Sequence, residues 1–317
     1  MVGAMMHSAT DATYATTVPA LIVADDGAEA MAALEAISLA GGRSLGRVGW
    51  AEAAGRLQQH NVLGLLVVET EDVPDAVIAA VLPHVDALAR AIDARVIVSL
   101  ARHQIDLVAA HLFGAHVDLL CSPTVADRVG ALAVALMPRT GRFQDSTRDA
   151  DSTRLRRLNK EIARIAEIIA RLNDEEGSES ADGGAGLAGY STDIDMASAS
   201  GSVPVTARDV REVIRARRLR DQFFERGLFE DPAWDMLLDL FAAELEQTQV
   251  SVSSLCIAAA VAPTTALRWI AKMTEAGVFV RHADPFDKRR AFMALSPKAH
   301  DGMRDYFAAI KRGGPIA

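Results

Sequence analysis

VSSLCIAAAVAPTTALRWIAKMTEAGVFVRHADPFDKRRAFMAL, residues 252–295, is the stretch whose reading decides the fold. Its first ten residues have the make-up of a short helix, and Ala262-Pro263 ends that helix, because proline lacks an amide donor and disfavours helical backbone in the residue before it. TTALRWIAKMTEAG supplies a second helix that stops at Gly277, and VFVRHADPFDKRRAFMAL supplies two strands around a charged loop. The order is that of a helix-turn-helix followed by a basic wing.

On the second helix Ala266, Trp269, Ile270 and Met273 recur at i, i+3, i+4 and i+7 and form the packed side. Thr264, Thr265, Arg268 and Lys272 then lie opposite, toward the N-terminal half. Hydroxyls there position phosphates, and arginine reaches a guanine edge with two bonds, which suits a helix entering a major groove. In the wing, Arg281, His282, Lys288, Arg289 and Arg290 crowd a tip containing Asp284-Pro285-Phe286-Asp287, a composition that fits a minor groove or a run of phosphates. Asp287 is expected to hold Arg289 or Arg290 by an ion pair. A solvated face is the plainer reading of the helix alone, and the adjoining wing favours double-stranded DNA as partner.

Residues 207–312 resemble the MarR-type winged-helix family of bacterial repressors. The resemblance is carried by Thr265–Met273, the Gly277 turn, Arg281, and DPFDKRR (284–290) leading to Leu295-Ser296, with Asp287 and Arg289 matching the family's acid-x-Arg wing signature. It implies a winged helix-turn-helix acting as a dimer on pseudo-palindromic DNA. Two departures stand out: Leu267 occupies a position where the family often has a polar residue, and the final helix is short for dimerisation through terminal helices.

Further back, ALIVAD (20–25), LGLLVVE (63–69), ARVIVSL (94–100) and VDLLC (117–121) are uninterrupted apolar runs, the pattern of parallel strands covered on both faces. Helical stretches alternate with them, and a weaker strand, SLGRVG, follows the first helix, giving about five β-α units. Residues 18–140 are therefore expected to form an α/β domain with a parallel sheet of receiver or flavodoxin type. The resemblance to response-regulator receivers rests on strand order more than on motif. Asp25-Asp26 follow the first strand and Ser99 follows the fourth, but Glu69 stands for the phospho-accepting aspartate and Ser122-Pro123 for Lys-Pro. Glu69 is one methylene too long and Ser122 is uncharged, so phosphotransfer is not expected. Asp25, Asp26 and Glu69 have the oxygen chemistry to attract a divalent cation. The preferred reading is a module that dimerises or docks a protein partner.

Between the two regions, Leu155, Leu158, Ile162, Ile165, Ile169 and Leu172 follow steps of three and four with charged residues on the flanks. This a/d stripe reads as a coiled-coil helix over 150–173 that joins two protomers into a homodimer, or else as an amphipathic helix lying on its own domain. Residues 174–206 are rich in Gly, Ser, Ala and acid and read as a flexible linker; residues 1–17 read as a disordered tail. Residues 207–317 complete the winged-helix domain, opening with a helix in ARDVREVIRARRLRDQFF and a second in DPAWDMLLDLFAAELEQ.

The net charge of −9 divides unevenly, with 10 Lys and Arg against 17 Asp and Glu in residues 1–150 and 17 against 15 in residues 207–317. An acidic front and a basic back suit a sensor joined to a DNA reader. Only Cys121 and Cys256 are present, in apolar surroundings and without metal spacing, so neither a disulfide framework nor a zinc site is expected. No apolar run approaches the roughly 18 residues of a membrane span and no secretory signal is evident, which points to the cytoplasm. Dinucleotide, P-loop, nucleophile-elbow and metal-protease motifs are missing, so no cofactor and no enzymatic activity are expected.

Overall fold

A computed structural model describes residues 18–59, 63–137, 204–225 and 227–312. The described residues belong to one compact unit. The proposed tail (1–17), the heptad stripe and the linker up to residue 203 lie outside the described residues.

The N-terminal half is built on five parallel strands: β1 (Pro19–Val23), β2 (Arg43–Val48), β3 (Leu65–Glu69), β4 (Arg95–Leu100) and β5 (Val117–Cys121). Their order across the sheet is β2-β1-β3-β4-β5. The direction of winding switches between β1 and β3, which opens a crevice at their carboxyl ends. Asp25, Asp26 and Glu69 sit there. Helices α1 (Ala28–Leu39) and α5 (Val125–Leu136) cover one face, packing Ala33, Ile37 and Leu132 on Ile22, Val67 and Ile97. Helices α2 (Trp50–Arg56), α3 (Asp75–Ala91) and α4 (Ile105–His111) cover the other, packing Trp50, Leu82 and Val108 on Leu21, Val68 and Val98. Coverage on both faces is the reason β3 reads LLVVE without a polar interruption. Each fully buried aliphatic side chain contributes about 1.5–3 kcal/mol.

The C-terminal half contains α6 (Ala207–Leu219), α7 (Pro232–Leu245), β6 (Val250–Ser251), α8 (Val252–Ala258), α9 (Pro263–Glu275), β7 (Phe279–Ala283), β8 (Ala291–Leu295) and α10 (Pro297–Arg312). The strands form an antiparallel sheet in the order β6-β8-β7, with Arg281 opposite Met293. A helix-turn-helix of α8 and α9 followed by a β-hairpin is a winged helix. Local chemistry sets the boundaries. Asp231 caps α7 by accepting the Trp234 amide at 3.2 Å, with Pro232 in the first turn. Helix α9 ends in a Schellman arrangement: Gly277, at φ 68°, donates to Thr274 and Val278 donates to Met273.

Helix α6 begins at Ala207, where the winged-helix domain was expected to open, but the last residues of the proposed linker belong to it. Thr206 caps it reciprocally with Asp209, and Pro204 accepts a hydrogen bond from Lys311 at 2.9 Å, so 204–206 are part of the fold. The helix also stops at Leu219, leaving Phe223 and Phe224 exposed beyond it. Two of its arginines tie it to the next helix: Arg211 joins Asp239 and Glu246 of the α7 segment, and Arg217 joins Asp235 at 2.8 Å.

One apolar cluster runs from beneath α2–α4 into the winged helix, through Phe113, Val117 and Leu119 to Leu255, Leu267 and Ile270. The two halves thus share a continuous core. Among the described residues no single helix is long and apolar enough to cross a membrane.

Candidate nucleic-acid interface

Helix α9 carries its packed side where the spacing places it, with Ala266 and Ile270 fully buried and Trp269 and Met273 half-buried. Thr265, Arg268 and Lys272 are exposed. The Lys272 ammonium lies 4.7 Å from the Trp269 ring centroid, a cation–π contact that steers the side chain along the helix. In the wing, Lys288, Arg289 and Arg290 are all exposed. The tip is shaped by its acids: Asp284 accepts the amides of Phe286 and Asp287 at 2.8 and 3.2 Å, and Asp287 accepts that of Arg289 at 3.0 Å. The ion pair expected of Asp287 goes to Arg290, at 3.8 Å, while Arg289 is held only through its main chain. Phe286, at the tip, is 96% exposed, and the sequence reading assigned it no role.

Two of the eight proposed DNA contacts are engaged inside the protein. Thr264 Oγ1 accepts the amide N–H of Cys121 at the end of β5, at 3.0 Å. The Arg281 guanidinium donates to the carbonyls of Ala109 and Ala110 in the last turn of α4, the latter at 3.0 Å. Cations are favoured there, because the final carbonyls of a helix lack partners and carry the negative end of its dipole. Burial pushes the Arg281 pKa below its ordinary value.

These contacts belong to a larger docking. Thr264, Leu267, Arg268, Ala271, Lys272 and Glu275 follow alternating steps of three and one along α9 and so share one stripe. From Leu267 onward that stripe lines a crevice of about 160 Å³ whose other wall is Phe113–Leu119, in and before the edge strand β5. Leu267 is 2% exposed. Its apolar side chain, a departure from the winged-helix pattern, is accounted for by this contact. Alongside, Asp106 of α4 accepts both the amide and the hydroxyl of Ser253 in α8, at 2.8 and 2.5 Å. On α5 the Asp127 carboxyl is held below its ordinary range by hydrogen bonds from Thr124, with Arg268 adding to the effect. The sequence reading missed Asp106, Ser253 and Leu267 as a set, and Leu267 alone carried a signal.

The acids at the sheet's carboxyl end are each occupied separately. Asp25 accepts the Trp50 amide at 2.9 Å, and Asp26 pairs with Arg47. Glu69, 2% exposed, accepts from Ser99 Oγ and from Arg128 Nη2, both at 3.0 Å. Arg128 also pairs with Glu29 and donates to the Pro123 carbonyl at 3.0 Å. Burial pushes the Glu69 carboxyl pKa up, and the hydrogen bonds from Arg128 and Ser99 pull it part of the way back. The charge that balances Glu69 therefore comes from Arg128, one turn into α5. Among the described residues no group of three His, Cys, Asp or Glu is arranged to hold a metal.

No family model matches the chain, and no curated protein matches it. Among solved structures it is similar over 33% of its length to Staphylococcus aureus MepR bound to ethidium bromide, at 16% identity and TM-score 0.23 over 72% of that chain. It is similar over 33% to the S. aureus MepR–DNA complex, at 17% identity and TM-score 0.24 over 84% of that chain. A probable transcriptional regulator from Pseudomonas aeruginosa gives 24% identity and TM-score 0.22, over 33% of this chain and 75% of that one. Likeness at these scores carries no argument about function, which rests on the residues themselves.

Proposed function

We propose that this chain is a DNA-binding transcription regulator that reads duplex DNA with its winged helix. The observation that carries the reading is the outward cationic array of that unit: Arg268 and Lys272 on α9, and Lys288, Arg289 and Arg290 on the wing. Arg268, Lys288 and Arg289 have no ion-pair partner among the described residues. Exposed cations without internal partners, on a helix and its adjoining hairpin, are what phosphate neutralisation requires. Thr264, Thr265 and Arg281 extend the same surface when the helix is free.

The N-terminal half is read as a receiver-like sensory or interaction domain that does not accept phosphate. Glu69 stands at the acceptor position and is already joined to Arg128, so the site has the charge balance of a finished structure. The heptad stripe at 150–173 supplies a homodimer, which would place two readers on one DNA molecule and raise affinity through effective concentration. On this reading the protein is not an enzyme.

The test is binding of duplex DNA by the whole protein as a function of salt. Arg289→Ala should weaken binding to most sequences and flatten the salt slope by about one unit, while Arg268→Ala should relax base preference. Shifts in which neither variant differs from wild type remove the proposed surface. A second reading is favoured by one observation, the docking of the α9 stripe on protein: an adaptor whose winged helix and receiver-like domain both bind proteins. An adaptor would show no steep salt-dependent affinity for duplex DNA.

A further inference from the structure

We propose that the α/β half is a built-in competitor for the DNA-reading face, holding the winged helix closed until duplex DNA or a partner displaces it. This rests on the DNA-binding reading above and adds the regulation of that surface. A recognition helix enters a major groove about 12 Å wide with its reading stripe leading. In this chain that stripe faces β5. Thr264 is hydrogen-bonded to the Cys121 amide, Leu267 is sealed against the α/β wall, and Arg281 is clamped on the end of α4. While those bonds stand, the polar atoms of Thr264 and Arg281 are committed to the α/β half and not to a duplex.

The docking surface imitates the partner it excludes. Asp118 lines the crevice opposite Arg268 and Lys272, Asp127 lies within electrostatic reach of Arg268, and Asp106 takes the Ser253 hydroxyl and amide. These acids and carbonyls occupy the roles of phosphate oxygens. The closure is also reversible by design of its packing. Arg268 and Lys272 stay exposed beside a crevice of about 160 Å³, so the interface lacks the close packing of an interior at the cations DNA would need. Leu267 is the reason the closed state forms at all, since a polar residue at that position would gain nothing from the apolar wall.

The experiment uses the whole protein and sonicated duplex DNA at fixed low salt. Asp106→Ala removes the grip on Ser253 without touching a proposed DNA contact. It should bind about tenfold more tightly, the shift expected if roughly one wild-type molecule in ten is open. A second protein carrying Asp106→Cys with Ser253→Cys should lose DNA binding when the new disulfide, identified by mass spectrometry, is formed, and regain it on reduction. That comparison is made on one folded protein and decides the matter if Asp106→Ala proves unstable. Arg289→Ala is the control for the DNA reading. If Arg289→Ala weakens binding while Asp106→Ala and the oxidised and reduced forms all match wild type, the closed state is overturned and the DNA reading stands. If none of these proteins binds duplex DNA even when reduced, the DNA reading is overturned and the competitor falls with it.

Discussion

The hydroxyl of Thr264 on α9 accepts the amide N–H of Cys121 on β5 at 3.0 Å, joining residues 143 positions apart in the chain. Strand β5 is an edge of the five-stranded sheet, so its outward amides have no strand partner. A residue of α9 thus completes the hydrogen bonding of another layer. Thr264→Val keeps the shape and removes the acceptor. The Cys121 amide should then exchange with solvent deuterium about fivefold faster, the change that goes with losing one hydrogen bond worth about 1 kcal/mol. Unchanged exchange at Cys121 would count against the docking.

Arg128 neutralises a carboxylate that water cannot reach. Arg128→Met should destabilise the fold by about 3 kcal/mol in urea unfolding, because Glu69 is left as an unpaired buried charge. Glu69 would then favour its protonated form more strongly in the folded state. A raised carboxyl pKa means that stability falls as pH rises through the shifted value, so the variant should be weaker at pH 8 than at pH 5. Glu69→Gln in the same protein should recover part of the loss. Equal stability of single and double variants at neutral pH would contradict the pairing.

Lys311 of α10 reaches Asp209 of α6 at 2.7 Å and, with the Thr206 amide, pulls its carboxyl from the ordinary 3.8 to about 2. A depressed acid contributes stability that is present above its unfolded pKa and lost as pH falls toward the folded one. The contribution should therefore vanish between about pH 4 and pH 2. Asp209→Asn should cost about 1 kcal/mol at neutral pH, allowing for solvent screening of a partly exposed pair. Thermal unfolding of the variant and wild type should converge near pH 2. A constant gap across that range would show that the capping geometry alone matters.

Cys256, on α8, is 5% exposed, and burial pushes its thiol up to about 12. Thiolate, not thiol, is the nucleophile. In native protein at pH 8, Cys256 should resist alkylation by iodoacetamide and become reactive only in denaturant, with peptide mass spectrometry as the readout. Prompt labelling of Cys256 in native protein would show that α8 opens far more readily than its packing implies.

Much of this architecture was legible in local chemistry. The apolar runs at 20–25, 63–69, 94–100 and 117–121 each became a strand, since a doubly covered strand has no solvent face on which to put polar residues. Asp231-Pro232 marked the start of α7, and Gly277 marked the end of α9, because caps are decided within a few residues. Legibility ended at pairs distant in the chain. Ser122 shows no charge at the end of β5, yet Arg128 brings one to Glu69, and nothing in the order of residues states which arginine will turn inward. Leu267 stood out only as a departure, and its reason lay on the opposite wall of a crevice.

Periodicity and composition by themselves determined that a parallel α/β layer would precede a winged helix, and that α9 would carry an apolar side and a polar one. Both depend on neighbours three, four or two residues apart, which the sequence states directly. Tertiary structure alone decided what the polar side faces. The choice turns on the shape and charge of the β5 edge and the end of α4, on Asp106, Asp118 and the carbonyls of Ala109 and Ala110. Those groups lie more than 140 positions from their partners, and only folding brings the two sides together.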